Sequence, residues 1–451
     1  MMKKRFISLF ISVCLLSGIL CLPSSAATID ESKYLPAVYL NSPIPSHQVI
    51  SAAFGVVNGK DYMYTSASGS PGIFNVYNLD DQKLEATYET PGAKNLWNHI
   101  VDSEGIVYMA SDGLFFRYNP YTKEFKKYGV MVEGEKATFV TTIDENDNIY
   151  IGTFPNAKII KYDKKTDSFE DWGQLVPGAT YVRSISYYDG YLYCGVQGDN
   201  LVGFYRVDTK NPSKKVKYDI PENPGYYEVK DIEWVYTSTV IGDKIALYTK
   251  SHSLSPLLVF DTKNEKFLDT GFKQTFTGLY TSPVRNGKSY FTSRNKLMAI
   301  DVATGKVEDL DFDLGVSTTT HAIGWVTLEN NPDFPGESLV TVDTSTGCPV
   351  FYNVQSKKIL RQTDIDLKGG YFSIQSLENG DYQNGDNALY IGAYAGDTAT
   401  RYDLDTKEYR TMGLGQPEGM LGYEGKQYFG IYTRAQLYRY DHTLPLSGTN
   451  P

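Results

Sequence analysis

The chain has 451 residues, 43 Lys+Arg against 53 Asp+Glu for a net charge of −10, and it is rich in Gly (40), Pro (20) and Tyr (37). An apolar share of 41% excludes wholesale disorder, and an aromatic share of 14% fits neither a helical bundle nor a coiled coil. The acidic balance argues against nucleic-acid binding, which needs a basic face.

The first segment reads as an export signal. Lys3, Lys4 and Arg5 precede an apolar run from Phe6 to Leu22, and Ser24, Ser25, Ala26 and Ala27 supply the small residues that a signal peptidase accepts. Residues 1–27 are therefore expected to leave, which makes the mature chain a secreted protein with no membrane span and shifts its charge to −13. Cys14 and Cys21 leave with the signal. Cys194 and Cys348 remain, far apart in sequence, and are expected to be two free buried thiols rather than a disulfide framework.

From residue 28 to 443 one pattern recurs. A turn with Asp, Asn or Gly leads into an apolar–Tyr strand, and a second strand follows that ends in aromatic–Asp or aromatic–Asn. Clear copies are Val107-Tyr108 with Phe116-Arg-Tyr-Asn119, Ile149-Tyr150 with Ile160-Lys-Tyr-Asp163, and Leu192-Tyr193 with Tyr205-Arg-Val-Asp208. Later copies are Leu389-Tyr390 with Thr400-Arg-Tyr-Asp403, and Gln427-Tyr428 with Tyr438-Arg-Tyr-Asp441. Nine units begin near residues 47, 96, 138, 181, 230, 277, 319, 371 and 419. Their step of about 46 residues is that of four-stranded propeller blades.

The expected fold is all-β, a single β-propeller with eight or nine blades, or seven as the remaining option. One domain thus replaces the roughly three that length alone suggests. The last unit is short of a strand, and Tyr34-Leu-Pro-Ala-Val-Tyr-Leu40 is expected to supply it and close the ring. The tail 444–451 is expected to be disordered.

A propeller gathers the starts of its innermost strands around a central channel. His47, His99 and His321 fall near such starts, as do Trp97, Tyr181, Arg183, Glu228, Asp231, Glu233, Tyr280, Tyr371 and Glu418. Aromatic, guanidinium and imidazole groups over one cavity suit an acidic sugar: rings stack on sugar faces and Arg clamps a carboxylate. β-Elimination on a uronic acid polymer would use Arg183 to neutralise the uronate and His99 or His321 as base. Tyr181 or Tyr280 would be the acid, with Trp97, His47, Glu233 and Tyr371 contacting substrate.

Two rival readings share this mouth. One is a non-catalytic glycan- or protein-binding propeller at a cell surface, expected to be a monomer; the other is a glycoside hydrolase using Glu228, Asp231, Glu233 and Glu418. No cofactor fingerprint is present. A histidine pair could take a divalent cation, while Asp144-Glu-Asn-Asp-Asn148 reads as a turn rather than a calcium loop.

The run Trp97-Asn-His-Ile-Val-Asp-Ser-Glu-Gly-Ile-Val-Tyr108 with Phe116-Arg-Tyr-Asn-Pro120, and Tyr181-Val-Arg-Ser-Ile185 before Asp189-Gly-Tyr-Leu-Tyr193, resemble secreted bacterial propellers of the PQQ-like or streptogramin-lyase-like type. In its His and Tyr residues the mouth is similar to that of propeller polysaccharide lyases. That resemblance implies a propeller fold, an acidic polysaccharide or cell-surface glycan as partner, and a catalytic role for His99 with Tyr181 and Arg183 beside it.

Overall fold

The computed structural model describes residues 42, 44–251, 254–314, 322–328, 331–344, 346–394, 398–432 and 436–444. The signal run, the segment Tyr34–Leu40, His252, His321 and residues 445–451 lie outside them. Nine antiparallel sheets follow one another along the chain, spanning residues 49–90, 99–130, 137–174, 179–218, 232–268, 288–313, 323–361, 374–412 and 417–440. Each is a meander whose strands pair in sequence order, and each corresponds to one sequence unit. The fold is an all-β propeller built from these repeats.

Strand character follows from the residues. The second strand of a sheet, such as Val107–Ser111, is buried along its whole length, because both faces are covered. The outermost strand, such as Glu124–Val130, carries polar residues and is only partly covered. Asn or Asp at the end of each third strand makes the turn that follows. Asn119 Oδ1 accepts from the amides of Tyr121 (2.9 Å) and Thr122 (3.2 Å), and Asp403 Oδ1 accepts from Asp405 and Thr406 (both 2.9 Å). Asp144 serves its own hairpin in the same way, accepting from the amides of Asn146 and Asn148 (both 2.9 Å).

The repeated tyrosines are core. Tyr108, Tyr150 and Tyr193 are buried between sheets, and each such ring contributes roughly 1.5–3 kcal/mol of burial energy.

The apolar clusters show how the sheets pack. Tyr64 and Phe74 of the first sheet meet Met109 and Phe116 of the second, and Phe115 of the second meets Ile151 and Tyr162 of the third. The third meets the fourth through Tyr150 and Cys194, and the fourth meets the fifth through Phe204 and Phe260. Tyr248 and Val259 join the fifth to Phe276 and Phe291 at the sixth, and Tyr290 joins the sixth to Leu339 and Tyr352 of the seventh.

The seventh sheet then meets the first, with Val326, Val340 and Phe351 against Val49, Met63 and Tyr77. Two backbone donors reinforce that contact: Val49 N to Thr344 O (2.9 Å) and Thr327 N to Asp61 Oδ2 (2.8 Å). The eighth and ninth sheets share a cluster of their own around Tyr390, Phe429 and Tyr440. Ile44 packs on the other face of the eighth, and Pro45–Ser46 pair with Gly370–Tyr371.

Among the described residues two sheets have three strands rather than four. The ninth has three strands, as its short repeat implies. The sixth also has three, and its innermost place is taken by the irregular stretch 277–283, held by Gly278 N to Thr292 O (3.1 Å) and Ser282 N to Tyr290 O (2.8 Å). Cys194 and Cys348 are free and buried, as expected. Among the described residues no helix is long and apolar enough to cross a membrane.

Candidate functional site

The innermost strands owe their side-chain placement to β-bulges. In the fourth sheet, Val182 pairs with Val196 and Ser184 with Gly195, which leaves Arg183 as the extra residue. In the fifth, Val235 pairs with Thr249 and Thr237 with Tyr248, so Tyr236 is the extra residue there. A bulge breaks strict alternation and re-aims the side chain it carries. Here the two bulges turn Arg183 and Tyr236 toward each other across the sheet boundary.

The Arg183 guanidinium carbon lies 3.6 Å from the Tyr236 ring centroid, 5.0 Å from that of Phe139 and 6.0 Å from that of Tyr181. Its Nη1 donates to Tyr236 O at 3.2 Å. Arg183 is only 3% exposed, and among the described residues no carboxylate lies within ion-pairing distance of it. A guanidinium has five N–H donors, so this cation is held by ring faces and a carbonyl while most of its donor capacity is unspent.

Around it runs an aromatic wall crossing four sheets. Trp97 meets Phe139 edge-on at 4.8 Å, Phe139 meets Tyr181 at 5.6 Å, and Tyr181 touches both Phe154 (5.1 Å) and Trp234 (5.7 Å). Trp234 leads on to Tyr236 at 6.4 Å. The charge of Arg183 acts on Tyr181 and Tyr280 alike and favours their phenolates, but burial outweighs it. The Tyr181 phenol is pushed well above its ordinary value, and that of Tyr280 to about 12. Both are proton donors at neutral pH.

A cavity of about 600 Å³ opens among the innermost segments, lined in part by Trp97, His99, Thr239, Tyr280 and Trp325. His99 is not a free base there. Its Nε2 lies 2.8 Å from Ser66 Oγ and its Nδ1 3.0 Å from Ser51 Oγ, and the ring stacks on Phe74 at 6.0 Å. The imidazole is therefore turned toward the first sheet, and desolvation lowers its pKa to about 3. Next to it, Asn98 knits the second sheet to the third, donating to Ala110 O and Thr138 O at 3.0 Å each.

The remaining candidates are dispersed. Glu233 is the extra residue of another bulge in the fifth sheet and lines a separate cleft together with Trp234. His47 and Tyr371 sit at the short ladder joining Pro45–Ser46 to Gly370–Tyr371, with Tyr371 exposed, and neither lines the cavity that holds His99. Glu228 pairs with Lys230 at 2.7 Å, and Glu418, a bulge residue of the ninth sheet, accepts from Gln375 at 2.9 Å. Of the candidates, Trp97, His99 and Tyr280 line that cavity, while Tyr181 and Arg183 lie among the rings joined to Trp97 through Phe139 and are not in its lining.

Sequence reasoning passed over Phe139, Phe154, Trp234 and Tyr236. For Trp234 and Tyr236 the signal was present in the run Glu-Trp-Val-Tyr at 233–236, which places ring-bearing positions on either side of a buried valine. Among the described residues no group of three or more His, Cys, Asp or Glu is arranged to hold a metal ion.

No protein-family model matches this chain, and no curated protein matches it. Among solved structures it is similar to the dihydro-heme d1 dehydrogenase NirN in complex with DHE, at 12% identity and a TM-score of 0.42 over 85% of this chain and 76% of that one. It is also similar to the extracellular domain of BT4673 from B. thetaiotaomicron, at 11% identity and a TM-score of 0.36 over 86% of this chain and 64% of that one. Likenesses this loose bear on no function; the propeller fold rests on the chain's own sheets and their packing.

Proposed function

We propose that the first seven sheets form a closed ring of seven blades, with the last two appended to it, and that the protein is a secreted propeller that binds an acidic glycan at the Arg183 face. The ring reading is supported by seven sheet-to-sheet clusters that return from the seventh sheet to the first. It would make the blade number seven rather than eight or nine. The repeat style shared with PQQ-like and streptogramin-lyase-like propellers is in keeping with it.

The single observation behind the binding reading is Arg183. A buried cation without an anionic neighbour is costly, and a ligand carboxylate would relieve that cost while using the free N–H donors. The flanking rings of Tyr181 and Tyr236 would cover the apolar faces of a sugar.

β-Eliminative cleavage is the second reading. The phenol of Tyr280, in the cavity that His99 also lines, could donate a proton to a departing glycosidic oxygen. It is the weaker reading, because a His99 with a pKa of about 3 and both ring nitrogens engaged is a poor base.

Titration calorimetry with galacturonate and with its methyl ester tests the binding reading. Arg183→Gln should weaken galacturonate about tenfold or more, the value of a charge-assisted hydrogen bond, and the ester should bind poorly to the unaltered protein. Arg183→Met should lose binding yet match or exceed the parent in thermal stability, since it removes a buried unpaired charge. Equal affinity for acid and ester would refute the assignment. Ultraviolet absorbance from an unsaturated uronate, appearing on incubation with polygalacturonate, would favour cleavage over binding alone.

A further inference from the structure

A second cavity adjoins the Arg183 face. It is a cleft of about 780 Å³ whose walls include Trp234, Gln197, Asn200, Lys217 and Glu233. Two features join it to the first site. Trp234 is a shared wall, its ring 5.7 Å from Tyr181 on one side and its edge lining the cleft on the other. Gln197 is the strand partner of Tyr181.

The cleft is preformed. The connection between the fourth and fifth sheets is tied down by a backbone bridge between Asn223 and Tyr227, by Tyr227 Oη donating to Pro221 O (2.9 Å), and by Tyr226 Oη donating to Gln274 O. Tyr226 and Tyr227 are both buried, so the connection that carries the lining residues Ile220 and Val229 does not have to order itself when a ligand arrives.

From this geometry we infer that the cleft is a second sugar subsite, so that the ligand is an oligosaccharide lying across Trp234 rather than a single sugar acid; this rests on the Arg183 face being a uronate site. The chemistry fits a sugar better than other ligands. An indole offers a flat platform, while an amide pair and a carboxylate offer both donors and acceptors at short range. The lysines at the edge are balanced, Lys230 by Glu228 at 2.7 Å and Lys217 by Asp219 at 3.7 Å, so the cleft does not have the excess positive charge of a phosphate site.

The test compares galacturonate with tetragalacturonate by calorimetry on the full chain. The unaltered protein should bind the tetramer about tenfold tighter or more, and Trp234→Ala should erase that advantage by weakening the tetramer far more than the monomer. Trp234→Phe should keep most of it. Asn200→Gly removes a cleft amide at a turn residue with φ of 56°, where glycine is at ease; it should weaken the tetramer alone. Equal affinity for monomer and tetramer, or parallel loss of both in Trp234→Ala, overturns the subsite. If galacturonate fails to bind but cellotetraose binds in a Trp234-dependent way, the uronate reading of Arg183 falls and the cleft stands.

Discussion

At the scale of single residues, burial decides what each candidate can do. His99 shows this best. Its neutral form is favoured in the fold, with a pKa of about 3, whereas an unfolded chain takes up that proton near pH ~6.5. The unfolded state therefore binds the extra proton between those values. The stabilising contribution is complete above pH ~6.5 and is lost as pH falls, at roughly 1.4 kcal/mol per unit. Carboxylates titrate lower, so the interval from about pH 6.5 to 5 isolates the histidine. Urea unfolding of the parent should weaken across that interval, and His99→Gln should flatten the decline; an unchanged slope would show that His99 is not desolvated. Arg183 is the converse, a charge kept buried among aromatic rings.

At the scale of elements, sheet packing depends on side chains that are absent. Gly195, on the second strand of the fourth sheet, faces Val235 of the fifth; an added Cβ would come 2.6 Å from the Val235 Cβ and also strike Ser184 Oγ. Gly195→Ala should lower stability by about 1–3 kcal/mol, the usual cost of overpacking, as read by denaturant midpoint. It should also disturb the neighbouring bulge, because Ser184 Oγ accepts from Gly195 N at 3.0 Å, directly after Arg183. Unchanged stability together with unchanged galacturonate affinity would mean that the two sheets can part without cost. Gly324 in the seventh sheet faces Phe54 of the first in the same manner, at 2.6 Å.

At the scale of the whole molecule, the last two sheets stand apart energetically. Their cluster around Tyr390 and Phe429 shares no residue with the clusters of the first seven. The second strand of the ninth sheet alternates buried and half-buried residues, unlike the fully buried second strand Val107–Ser111. Asn75, itself fully buried, ties the connection between the seventh and eighth sheets to the first sheet, donating to Lys368 O and accepting from Lys368 N, both at 3.0 Å. Native-state hydrogen exchange should show residues 374–440 opening at lower free energy than residues 99–218. Asn75→Ala should lower that opening energy further, by about 1–3 kcal/mol for the lost buried hydrogen bonds. Uniform exchange protection across all nine sheets would show a single cooperative unit.

The sequence alone determined the repeat, because blade chemistry is local. Period-two burial, the Asp or Asn turn after Arg-Tyr and the Tyr core position each act within a few residues, so nine units appear as nine sheets. What only the tertiary structure decided is which sheets meet, and which way a side chain turns after a bulge. Whether the seventh or the ninth sheet returns to the first is a contact between residues hundreds of positions apart, and no local pattern encodes it. The bulges at Arg183 and Tyr236 shift the register by one residue, enough to reverse which face a side chain serves. The bulge left Arg183 among aromatic rings, while His99, in a regular ladder, turns to its two serines.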